Sequence, residues 1–133
     1  SDQVKRLIQV TKQALDIAIS KMVPGNTIGD IGYAVQTYVE EQDFFITRTY
    51  TGHGVGRKMH EAPQVPNYGK PGRGLRLREG MTIALEPMVL AGTPSTIVKD
   101  DEWTVTSADG SYTAHFEHTV AITADGPQIL TVL

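Results

Sequence analysis

Met81-Thr82-Ile83-Ala84-Leu85-Glu86-Pro87-Met88-Val89-Leu90 is the stretch on which the fold turns. It reads as a strand, and as one that carries an acid. Alternation puts Glu86 on one face with Ala84 and Thr82, opposite Ile83 and Leu85. An ionised carboxylate in so apolar a run is costly to bury unless a cation or hydrogen bonds compensate it. Further strand-like runs follow: Thr96 to Lys99, Trp103 to Thr106, Tyr112 to Thr123 and Gln128 to Leu133. Short turns such as Ala108-Asp109-Gly110 and Ala124-Asp125-Gly126 join them.

Upstream of this strand the periodicity is helical. Val4, Leu7, Ile8, Ala14, Leu15, Ala18 and Met22 form one face of a 3.6-residue helix that Pro24-Gly25 ends. Thr27 then caps a second helix, with Asp30 in the capping-box position and Ile28, Ile31, Val35, Tyr38 and Val39 as its apolar face. Phe44-Phe45-Ile46 leaves it as a short strand. Two helices followed by several strands make an α+β protein with an antiparallel sheet, not an alternating βαβ one.

Between these halves, Tyr50 to Gly80 holds seven glycines and three prolines. It reads as a long, irregular surface segment, of a kind that is often functional. Six basic residues lie between Arg57 and Arg78 (Arg57, Lys58, Lys70, Arg73, Arg76, Arg78) against one acid, Glu61. A solvated loop is the reading preferred over a docking patch for an RNA-rich partner.

The remaining bulk properties set limits. A chain of 133 residues suits a single domain spanning 1–133, which on folding buries roughly two-thirds of its surface. A net charge of −3 argues against a general nucleic-acid or anionic-membrane binder. With no cysteine there are no disulfides or thiolate metal sites, so a reducing compartment is acceptable and the cytoplasm is the expected location. No apolar run reaches membrane-span length. The chain opens on Ser1-Asp2 with no initiator Met, which fits processing or excision from something longer.

Four residues stand out chemically. His53 is framed by Gly52, Gly54 and Gly56, so its imidazole can be placed without crowding. His60 follows seven residues later and gains weight only from His53. Glu86 is the strand acid already noted. Glu117 is a second one, in Tyr112-Thr113-Ala114-His115-Phe116-Glu117-His118-Thr119-Val120, on the face with Thr113, His115 and Thr119. Two strand acids and a glycine-framed histidine are a nitrogen-and-oxygen donor set for a hard-to-borderline metal, although two solvent-facing glutamates are the commoner use.

Gly52-His53-Gly54-Val55-Gly56, His60-Glu61-Ala62-Pro63-Gln64-Val65, Asn67-Tyr68-Gly69, Gly80-Met81-Thr82, Glu86-Pro87-Met88-Val89, Trp103-Thr104-Val105 and Phe116-Glu117-His118-Thr119 occur in this order. In combination they resemble type I methionine aminopeptidases, enzymes of the pita-bread fold, over essentially the whole chain. The resemblance implies half of that fold, two helices packed on a curved antiparallel sheet. It implies that His53 and Glu86 are terminal ligands of one divalent metal and that Glu117 bridges two in the complete enzyme. Co, Mn, Fe or Zn would serve. His60 and Glu117 would be catalytic, with His60 contacting the scissile amide of a peptide that begins with Met. His60, Trp103, Tyr50 and Phe45 would lie near the methionine side chain.

The family's catalytic domain is about twice this length, and its first half supplies two aspartate ligands and a further histidine. The resemblance therefore implies an incomplete site, a chain without peptidase activity on its own, and a partner: the missing first half, or a second copy in a homodimer. The alternative is a non-catalytic or engineered half-domain that binds or self-associates.

Overall fold

The computed structural model describes residues 1–132. Helix α1 (Asp2–Ser20) and helix α2 (Ile28–Glu41) come first. Ten strands follow: β1 (Phe45–Ile46), β2 (Gly52–Gly54), β3 (Glu61–Val65), β4 (Thr82–Leu85), β5 (Met88–Leu90), β6 (Thr96–Val98), β7 (Val105–Ser107), β8 (Thr113–His115), β9 (His118–Thr123) and β10 (Gly126–Ile129). The run expected from Gln128 to Leu133 starts earlier and pairs only to Ile129; Leu133 lies outside the described residues. All pairings are antiparallel, in sheets ordered β10-β9-β4-β2-β3, β1-β5-β8 and β6-β7. Among the described residues no helix is long and apolar enough to cross a membrane.

Both helices carry the apolar faces read from their periodicity. Leu7, Val10, Ala14, Leu15 and Ala18 of α1 and Ile31, Val35 and Val39 of α2 are buried against Ile83, Leu85, Val89 and Val120 of the sheets. Each Val, Leu and Ile among them contributes about 1.5–3 kcal/mol on removal from water. Ile8, read as part of that face, is exposed; the interior position is filled by Thr11, whose hydroxyl donates to the Leu7 carbonyl at 2.7 Å. The capping box of α2 is formed. The Asp30 amide donates to Thr27 Oγ1 at 3.3 Å, and the Thr27 amide and hydroxyl donate to Asp30 Oδ2 at 2.7 and 2.9 Å.

Two expectations change in ways that matter to the site. The segment from Tyr50 to Gly80 is not irregular throughout: β2 and β3 lie within it, and β2 is interior to the five-stranded sheet, between β4 and β3. Glycine hid β2, which holds Gly52 and Gly54 and lacks the branched residues that signal a strand, and Pro63 obscured β3. Those glycines have ordinary negative φ, and what they provide is close approach. A Cβ on Gly52 would collide with the Ala84 carbonyl of β4, and one on Gly54 with the Ala62 carbonyl of β3.

The second change concerns the two long runs. Met81–Leu90 is divided into β4 and β5, and Tyr112–Thr123 into β8 and β9, each pair split between two sheets. Pro87, which has no amide proton to give a ladder, lies in the first gap. The register nevertheless carries across. Leu85 pairs with His118 before the gap and Met88 with His115 after it, so Glu86 and Glu117 fall opposite one another in the seam. The run at Trp103 also begins later, at Val105. The Trp103 and Thr104 amides turn instead onto Asp101 Oδ1, at 3.1 and 2.8 Å.

Candidate metal centre

His53 stands at the middle of β2, opposite Ala84 of β4, two residues short of Glu86. This brings His53 Nε2 to 3.3 Å from Glu86 Oε1, with both side chains largely shielded at 14% and 13% exposure. The Glu86 carbonyl accepts from Nδ2 of buried Asn67 at 3.1 Å, which fixes the backbone of the seam. Glu117 enters from the facing run, in the gap between β8 and β9, and is exposed. One donor atom from each of His53, Glu86 and Glu117 lies within 4.8 Å of the others.

One donor atom from each of the three side chains converges on a common point, as a cation site requires. His53 Nδ1 lies 2.9 Å from the Gly54 carbonyl. A carbonyl only accepts, so Nδ1 carries a proton and Nε2 is the ring atom turned towards Glu86 Oε1. Two like-charged carboxylates facing each other across an antiparallel pair repel. Among the described residues no lysine or arginine pairs with Glu86 or Glu117; the ion pairs of Glu86 are to imidazoles. A divalent ion between the donors relieves that repulsion. The 3.3 Å spacing suits two donors about 2.0–2.2 Å from a common centre, and an N,O,O set without sulfur suits Mn, Fe, Co or Zn.

Around this cluster the chain forms an open cleft of about 1010 Å³, lined by Tyr50, His53, His60, Glu86, Trp103 and His115 among others. The His60 ring lies beside that of His53, centroids 4.2 Å apart. Trp103 is 86% exposed, so one face of the cleft stands open to solvent. Phe45, exposed on β1, does not line this cleft. The structure thus gathers His53, His60, Glu86, Glu117, Tyr50 and Trp103, and leaves Phe45 apart.

One neighbour was missed from the sequence. His115 Nε2 lies 3.2 Å from Glu86 Oε2, so the carboxylate stands between two imidazoles. The hydrogen bond to Glu86 raises the His115 pKa above its ordinary value; burial opposes this, and the charges of Glu86 and Glu117 add to it. The signal was present, because alternation already placed His115 on the face of Glu117.

A family model described as metallopeptidase family M24 matches residues 1–124. The chain belongs to metallopeptidase family M24. Within the family it is similar to a methionine aminopeptidase of Mycoplasma capricolum, 56% identical over 125 residues that cover 94% of this chain and 50% of that protein. The crystal structure of a methionine aminopeptidase from Thermotoga maritima matches with a TM-score of 0.98 and 49% identity, over 100% of this chain and 53% of the other. A Pyrococcus horikoshii prolidase shares the fold at a TM-score of 0.71 and 24% identity, over 99% of this chain and 32% of its own. The architecture is therefore that of pita-bread proteins, and the chain spans about half the length of the curated relatives it matches. Membership of a metallopeptidase family agrees with the donor set, to which a divalent metal belongs.

Proposed function

We propose that this chain is the C-terminal half of a methionine aminopeptidase catalytic unit, removing the initiator methionine from peptides once its first half is present. The observation that carries the reading is the His53/Glu86/Glu117 cluster, set at a strand seam and opening on the cleft that holds His60. Relatives of twice the length that are named methionine aminopeptidases support it.

In this reading His53, Glu86 and Glu117 would together hold the divalent metal, with the first half supplying the remaining donors. The metal, when bound, lowers the pKa of a water to about 7 and polarises the scissile carbonyl. His53 is held in the ligating tautomer by the Gly54 carbonyl. His60, beside it, faces the scissile amide and gives a hydrogen bond to the oxygen on which charge develops, a role worth about 10²- to 10⁴-fold. Tyr50 and Trp103 form the apolar wall that receives the methionine side chain.

The open side of the cleft is where the first half belongs. Val98, Trp103 and Val105 line it and are all exposed, as is Ile97 of the same β6-β7 ribbon, leaving apolar surface that a partner would cover. A second copy of the chain is the other candidate cover, and light scattering separates the two. The functional test is hydrolysis of a Met-dipeptide by the metal-loaded chain, alone and with a first-half chain added. The reading expects turnover only with both. Turnover by this chain alone would overturn the claim of incompleteness, and absence of metal uptake even with the first half would overturn the enzyme reading.

A further inference from the structure

The Glu86 carboxylate is held at both oxygens. Oε1 faces His53 Nε2 at 3.3 Å, and Oε2 faces His115 Nε2 at 3.2 Å. His115 is fixed for this by its strand. It ends β8 and pairs in register with Met88, two residues past Glu86 on the facing run. The Asn67 amide holds the Glu86 carbonyl at 3.1 Å, so backbone and carboxylate are both tied.

We propose that His115 is a positioning residue for the metal centre: its Nε2–H holds Glu86 Oε2, so that Glu86 presents Oε1 alone to the ion shared with His53. The inference rests on the metal-centre reading above and adds a residue to it. A carboxylate with one oxygen held by a hydrogen bond is restrained from rotating to chelate an ion through both, and it stays aligned while the metal is absent. The contact requires only the tautomer with its proton on Nε2, so it operates with a neutral imidazole. His115 is also the more open of the two rings, at 46% exposure against 14% for His53. Its removal therefore leaves the core intact.

The test compares His115→Ala with His115→Gln, whose side-chain amide restores an N–H donor at similar reach. Each chain is titrated with Co(II) alone and followed by the visible absorption of the bound ion. Loss of a hydrogen bond behind a metal ligand typically weakens binding about 10- to 100-fold, and His115→Ala is expected to fall in that range. His115→Gln should stay within about threefold of the unchanged chain, since the donor is rescued. Equal binding by His115→Ala overturns the proposal. Equal loss in both variants overturns it too, because it marks His115 as a direct ligand.

A metal-free measurement stands beside the titration. In ¹⁵N-imidazole NMR spectra, Glu86→Gln should shift the His115 ring signals, and unmoved signals overturn the proposal. No Co(II) binding by the unchanged chain, alone and with its first half, would overturn the metal centre and this inference with it. Binding that ignores His115 overturns the inference alone.

Discussion

Replacing Gly52 by Ala places one methyl group where two strands meet. Its Cβ would collide with the Ala84 carbonyl of β4 and sit 3.2 Å from the Val65 carbonyl of β3. Both obstacles are backbone, so no side chain can swing aside and β2 must separate from β4. Forcing a methyl into a packed interior costs about 1–3 kcal/mol. With an unfolding entropy near 2.1 cal/mol/K per residue, a chain of 133 residues should then melt about 4–11 °C lower. The same displacement opens the 3.3 Å gap between His53 on β2 and Glu86 just beyond β4, so Co(II) affinity should fall roughly tenfold or more. Gly110→Ala provides the contrast. Its φ of +76° strains an alanine by about 1–2 kcal/mol, yet nothing lies within 4 Å of the added methyl. That variant should melt lower while binding Co(II) unchanged. Circular dichroism melts and Co(II) titrations on both variants decide the matter. A Gly52→Ala chain that binds Co(II) as tightly as the unchanged one would refute the link between strand spacing and the site.

Two further outcomes follow from named contacts. Asp30 has its pKa lowered by the Gly72 amide first, then by the amide and hydroxyl of Thr27. A depressed carboxylate contributes stability that is present above its unfolded value near 3.9 and is lost as pH falls through its folded value. The stability gap between the unchanged chain and Asp30→Asn should therefore hold from pH 7 to about 5 and close below about 4 in urea titrations; a gap constant to pH 2.5 would contradict this. His60→Ala should leave Co(II) affinity unchanged, because the ring lies beside His53 and outside the donor cluster. In the assembled enzyme it should cut Met-dipeptide turnover about 10²- to 10⁴-fold, and a variant retaining full turnover would remove His60 from the chemistry.

The helices were legible because their signals are local: an apolar stripe, a Pro-Gly stop and the Thr27/Asp30 capping box. The two acid-bearing runs were also legible as strands, from their alternation, and so was the antiparallel class of the sheet. Three things were not. The strand at Gly52–Gly54 is specified by its pairing with β4, which lies outside the glycine-rich segment, and the strand at Glu61–Val65 by its pairing with Gly52–Gly54. The seam at Glu86 and Glu117 arises because a proline and two facing acids interrupt one ladder, an effect visible only once both runs are paired. His115 matters through an oxygen on another strand, and alternation records the face a side chain takes without naming its neighbour. Phe45, placed near the methionine side chain by the resemblance, lies on the short pair β1-β5 and does not line the cleft.

The central claim is that His53, Glu86 and Glu117 act together as donors to one divalent ion, and a Co(II) titration of the 133-residue chain and its His53→Ala variant tests it most directly. The account predicts saturable binding by the unchanged chain and its loss in the variant. Binding that survives His53→Ala undiminished would place the metal elsewhere and contradict the account.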